Sequence, residues 1–76
     1  MKFIINSKEN KAVNLANVIG FDISNNYLTL SLADGRSVLF VYGTEKNLKA
    51  LFDAIIDFIA NDKMSVFDCD EFLKTL

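Results

Sequence analysis

The sequence predicts an α+β fold: an antiparallel meander of four to five strands, covered on one face by a helix and followed by a short C-terminal helix. Two observations carry this reading. From Thr44 to Asp62, the residues Leu48, Leu51, Phe52, Ile55, Ile56, Phe58 and Ile59 recur at three- and four-residue spacing. At about 100° per residue that spacing gathers them on one side of a helix. Before Thr44, apolar and polar residues alternate in runs broken by turn-forming Asn, Asp and Gly, as half-buried strands do. Strands of that kind need an apolar stripe to cover one face.

Taken in order, Lys2 to Asn6 is a short strand, and the polar Ser7-Lys8-Glu9-Asn10 turns the chain back into Lys11 to Leu15. After Asn14-Leu15-Ala16-Asn17, the residues Ile19, Phe21 and Ile23 alternate with Gly20, Asp22 and Ser24, the pattern of a half-buried strand. Gly20 is placed to mark a bulge. Asn25-Asn26 is expected to make a two-residue turn, because Asn tolerates positive φ. It leads into Tyr27 to Ala33, where Leu28, Leu30 and Leu32 share one face and Tyr27, Thr29 and Ser31 the other. Asp34-Gly35 is expected as a type I′ turn before Arg36 to Tyr42. That last strand is apolar on both faces, with Val38, Phe40 and Tyr42 against Leu39 and Val41, which suggests a central or doubly covered position.

Gly43 ends the strands, Thr44 caps the main helix over 44–62, and Glu45 sits where the helix dipole favours an anion. Asn61-Asp62-Lys63 closes it. A short helix over about 66–76 follows, carrying Phe72, Leu73 and Leu76, with either Ser65 to Asp68 or Asp68 to Glu71 as its cap. Projected on a wheel, the main helix's apolar residues from Phe58 round to Ile56 span roughly 160°, wider than the stripe of about 100° that packing on one sheet requires. Either Phe67, Phe72 and Leu76 from the tail, or an isologous homodimer, is expected to cover the excess.

The 76 residues make one domain, residues 1–76, of a size that buries only about 60% of its unfolded surface. With 51% hydrophobic residues and no Pro, the chain is too apolar to be disordered. Phe3-Ile4-Ile5 is too short for a secretory signal, and no apolar run approaches a membrane span, so a cytoplasmic protein without membrane attachment is expected. The lone Cys69 cannot form an internal disulfide, which fits a reducing compartment.

The formal charge is −2, which argues against nonspecific nucleic-acid binding. The charge is uneven. Through Gly43, four bases (Lys2, Lys8, Lys11, Arg36) face three acids (Glu9, Asp22, Asp34). From Thr44 onward, four bases (Lys46, Lys49, Lys63, Lys74) face seven acids (Glu45, Asp53, Asp57, Asp62, Asp68, Asp70, Glu71).

No catalytic residue, metal ligand set or cofactor motif emerges. The chain has no histidine, which removes Ser-His and Cys-His nucleophilic systems. Asp68 and Asp70 flank Cys69 and would raise its thiol pKa, not activate it. Gly20, Gly35 and Gly43 stand alone, so no phosphate-binding glycine loop can be built. The run Val66 to Lys74 has the look of an EF-hand exit, yet with Glu71 as twelfth position only Asp62 falls on a ligand position, and Ser65 replaces the required Gly. Asp53 and Asp57 stand one turn apart on the helix, with Lys49 and Asp53 spaced as an i,i+4 pair.

The Asn14-to-Phe21 run, the Asn-Asn turn, the Leu-x-Leu-x-Leu strand, Asp34-Gly35 and the closing helix together resemble short uncharacterised bacterial and phage proteins. More loosely, the pattern is similar to the last part of a pleckstrin-homology-like barrel and to anti-CRISPR inhibitors. This resemblance implies a non-enzymatic protein-binding module, an anti-CRISPR-like inhibitor of a host defence effector carried by a mobile element. The alternative is a small structural or assembly protein that homo-oligomerises. The expected partner is another protein with a basic surface, not nucleic acid. The residues expected to meet it are Asp53, Asp57, Asp68, Asp70 and Glu71, with Tyr27 on the sheet face as a further contact.

Overall fold

The structure, a computed structural model, describes residues 1–76. Its elements are β1 (Phe3–Asn6), β2 (Lys11–Asn14), β3 (Val18–Ser24), β4 (Tyr27–Leu32), β5 (Ser37–Tyr42), α1 (Glu45–Ala60), β6 (Val66–Asp68) and α2 (Cys69–Leu73). The α+β class, the antiparallel meander, the main helix and the short C-terminal helix are all present. The strands are shared between two three-stranded sheets, ordered β2-β1-β6 and β3-β4-β5. The break between them is local. Asn14 accepts the Ala16 N–H on its side chain at 2.9 Å, and the 3-10 turn Leu15–Asn17 redirects the chain before β3 begins.

β1 and β2 form the expected first hairpin, with Asn6 opposite Lys11 and Asn10 in the left-handed region at φ 56°. On the other edge of β1 lies β6, parallel, with Ile4 opposite Phe67. Val66, Phe67 and Asp68, expected within the C-terminal helix, are strand instead. Phe3 donates its N–H to the Ser65 carbonyl at 2.9 Å, and pairing with β1 satisfies backbone groups that a helix would have satisfied locally.

Of the two meander turns, the one at Asn25-Asn26 forms as expected and the one at Asp34-Gly35 does not. Asn25 and Asn26 both have positive φ, 53° and 64°, as a type I′ turn demands. At Asp34-Gly35 only Gly35 does, at 91°. Asp34 instead accepts the Arg36 N–H at 3.0 Å and the Arg36 Nε–H at 2.7 Å. The Gly35 N–H closes back on the Leu32 carbonyl at 3.0 Å, and the Leu32 N–H reaches the Arg36 carbonyl at 2.8 Å. The result is a three-residue loop ending in a left-handed glycine.

Two register shifts correct the facing of individual residues. One falls between Val18 and Gly20, where a bulge was expected, and turns Ile19 outward to 72% exposure while Phe21 and Ile23 remain half-buried. The other lies in β5, where Leu28 pairs with Val41 and Thr29 with Leu39. Phe40 is the extra residue there, so Phe40 and Val41 both face inward and Leu39 and Tyr42 outward. The strand's apolarity on both faces reflects this bulge. β5 is an edge strand, not a central one.

Both sheets and α1 share one core: Ile4 from β1, Leu28, Leu30 and Leu32 from β4, Phe40 and Val41 from β5, Leu48, Leu51, Ile55 and Phe58 from α1, and Cys69. Thr44 caps α1 by accepting the Asn47 N–H at 3.2 Å. At the other end Lys2 acts as the cap, donating from Nζ to the carbonyls of Phe58 (2.6 Å), Ile59 (3.1 Å) and Asn61 (2.6 Å) while lying over the Phe58 ring. The tail covers one flank of the wide stripe, with Phe67 against Phe58 at 5.6 Å and Phe72 against Phe67 at 5.9 Å between ring centroids. Leu76 remains exposed, as do Ile56 and Ile59 on α1.

Candidate functional site

The acids singled out in the sequence do not form one array. Asp53 and Asp57 are exposed on the outer face of α1, one turn apart, and belong to none of the ion pairs. The expected Lys49–Asp53 pair is not made. Asp57 lies in the last turn of α1, which carries no basic residue, and the helix dipole disfavours an anion there. The cation at that end is the Lys2 ammonium, which is spent on the carbonyls of Phe58, Ile59 and Asn61 and makes no ion pair with Asp57. Asp57 also borders a small hollow of about 190 Å³ walled by Phe58, Met64, Phe67 and Phe72.

Asp68 is committed to the fold. As N-cap of α2, its carboxylate accepts N–H groups from Asp70 at 3.0 Å and Glu71 at 3.4 Å, and from Ser7 across in the β1–β2 turn at 3.4 Å. Of the two caps open to the sequence, this is the Asp68-to-Glu71 one. Partial burial pushes the Asp68 pKa up, but the donors from Ser7, Glu71 and Asp70 outweigh it and hold the group below its ordinary value. Asp70 and Glu71 share Lys74, at 3.2 and 3.6 Å, and the hydrogen bond to Asp70 raises the Lys74 pKa. Glu71 is exposed; the Asp70 side chain is only 13% exposed.

Tyr27 packs edge-on against Tyr42 at 5.2 Å, and these two rings, with Asp70, line a second hollow of about 310 Å³. Asn6, Lys8 and Glu9 from the first hairpin complete much of its wall. The structure thus brings Tyr27 and Asp70 together, while Asp57 stands at a different hollow. Asn6 is 2% exposed; its Nδ2–H donates to the Phe40 carbonyl at 2.9 Å, and its Oδ1 has no partner. Sequence reasoning passed over Asn6 and Tyr42. Their meeting depends on the bulge at Phe40, which strict alternation conceals.

Cys69 is fully buried in the core, and burial, reinforced by the neighbouring Asp68 charge, pushes its thiol up to about 12. No three His, Cys, Asp or Glu side chains are grouped so as to hold a metal ion. No helix is long and apolar enough to cross a membrane. No family model, curated protein or solved structure matches the chain.

Proposed function

We propose that the chain is a non-enzymatic protein-binding module that occludes a basic surface of its partner through the outer face of α1. An inhibitor of an effector that handles nucleic acid, such as a mobile element carries against host defence, would act in this way. The supporting observation is the pair Asp53 and Asp57: exposed, one turn apart, and outside every ion pair. Carboxylates left without an intrachain cation keep their charge for steering a partner and fixing its register. The remaining chemistry agrees, since the one thiol is buried and held protonated and the chain has no histidine.

The test is a parallel capture from the source cell with wild type and with Asp53→Lys/Asp57→Lys, after thermal melts show that the variant folds. A partner retained by wild type and lost by the variant supports the reading. Capture that is the same for both contradicts it.

A second reading, homo-oligomerisation, rests on Ile56 and Ile59 of α1, which remain exposed after the tail has covered the Phe58 flank of the stripe. Sedimentation showing a dimer at high micromolar concentration, shifted toward monomer by Ile56→Lys, supports it; a strict monomer removes it.

A further inference from the structure

The meander has two edges, and the fold treats them differently. On β5, side chains from the other sheet meet the carbonyls of Leu39 and Phe40. β3 has no such cover. It is seven residues long, the longest strand, and its single charge is Asp22. Ser24 and Tyr27 flank the two-residue Asn25-Asn26 turn and pair with each other, so alternate residues back from Ser24 turn their backbone groups toward β4. Phe21 and Ile23 therefore direct N–H and C=O away from β4, where no strand or loop of the chain meets them. A free row of this kind is a template for another strand.

α1 follows the same edge. Glu45 shares a hollow with Ile23 and Ser24 at one end of β3, and Phe52 meets Phe21 edge-on at 6.2 Å between ring centroids. The helix thus runs antiparallel to β3, and the exposed Ile56, one turn past Phe52 on the same flank, comes level with the start of the strand. Phe58, on the opposite flank, faces the tail through Phe67. The uncovered apolar flank of α1 and the unpaired edge of β3 are therefore neighbours.

We propose that a second copy of the chain covers both, its β3 paired antiparallel to this β3 about a twofold axis at Phe21. The inference rests on the self-association reading above and gives it a geometry. In that register the strand is complementary to itself: Phe21 exchanges N–H···O=C bonds with Phe21 of the second copy, and Asp22 stands opposite Gly20, so no like charges meet. An axis at Asp22 would set two carboxylates opposite each other. Pairing about Phe21 keeps both α1 helices on one face of the joined sheet, with their Phe52–Ile56 flanks turned toward each other. A lone extended segment of another protein would satisfy the backbone row and leave the helix flank bare.

The test uses the full chain. Sedimentation at high micromolar concentration is expected to show a dimer, and hydrogen exchange at the Phe21 and Ile23 amides is expected to slow as concentration rises. Charge at position 20 reads the register, and a side chain fits there, since its Cβ would lie 3.8 Å from Ser31 Cβ, an ordinary contact. Gly20→Lys, opposite Asp22 of the second copy, should tighten the dimer about threefold or more, and Gly20→Glu should loosen it by a similar factor. Melts of dilute protein check that both variants fold. A strict monomer overturns the proposal together with self-association and leaves the edge to a strand of another protein. A dimer that Ile56→Lys disrupts, but whose Phe21 and Ile23 amides exchange equally fast at every concentration and whose affinity ignores the charge at position 20, overturns the strand pairing alone.

Discussion

Asn6 and Phe40 join the two sheets: the Asn6 side-chain N–H donates to the Phe40 carbonyl at 2.9 Å, at the bulge of β5. Lys11 reaches the neighbouring Leu39 carbonyl at 2.8 Å. Together they satisfy carbonyls on a strand whose only ladder partner is β4, which is one way an edge is protected from pairing with another chain. Asn6→Ala strips the donor from Phe40 and opens a void in a sealed region. It is expected to cost about 1–3 kcal/mol in urea unfolding. A change of a few tenths would mean that the two sheets are held together by apolar packing alone.

Lys2 is expected to matter through the far end of α1. Its ammonium meets three carbonyls there and lies 4.8 Å from the Phe58 ring centroid. Lys2→Met keeps most of the aliphatic stem and removes the charge, and should lower stability by about 1–2 kcal/mol. Hydrogen exchange at Phe58 to Asn61 should quicken in the same variant. Unchanged exchange would show that the helix end is secured by the Phe58–Phe67 contact instead.

Asp68 should give the fold an acid-sensitive component. Its native pKa is lowered, so the unfolded chain binds the proton more readily, and stability falls as the group is protonated. The contribution is complete above about 4, the ordinary carboxylate value, and is lost as pH drops through the lower native value. Asp68→Asn keeps a capping side chain and should stay near wild type at neutral pH while flattening the decline below pH 4. Asp68→Ala should cost about 1 kcal/mol at neutral pH. Equal acid slopes for wild type and Asp68→Asn would assign the sensitivity to other acids, Asp34 among them, whose pKa the Arg36 hydrogen bonds also lower.

Cys69 should be inert while the protein is folded. Its thiol is buried and pushed up to about 12, so iodoacetamide at pH 8 should label it only as fast as the chain opens. Labelling at the rate of a small free thiol would place Cys69 at the surface and undo the packing described for α2.

Much of this fold was legible where one local rule decides one element. Leu48, Leu51 and Ile55 on α1, Leu28, Leu30 and Leu32 on β4, the Thr44 cap and the bulge at Gly20 follow from periodicity and capping chemistry, and all stand where those rules place them. The misplaced residues depend on partners distant in sequence. Val66 to Asp68 became a strand because β1 had a free edge, which no local pattern reveals. Leu39 and Tyr42 faced outward because an extra residue entered β5 opposite β4. Asp34 kept negative φ because Arg36 engaged its carboxylate. The candidate residues divide along the same line. Asp53 and Asp57 could be placed on an outer face from helix geometry, whereas Asn6, Tyr42 and Asp70 meet only through the tertiary fold.

Electrostatic docking through α1 is measured most directly by the association rate with the captured partner at a series of salt concentrations. Wild type should associate more slowly as salt rises, because screening shortens the reach of Asp53 and Asp57 to about 8 Å at physiological ionic strength. Asp53→Lys/Asp57→Lys should lower the rate at low salt by about tenfold or more and flatten its salt dependence. Equal rates for the two proteins, with no dependence on salt in either, would contradict the claim and move the contact to another surface.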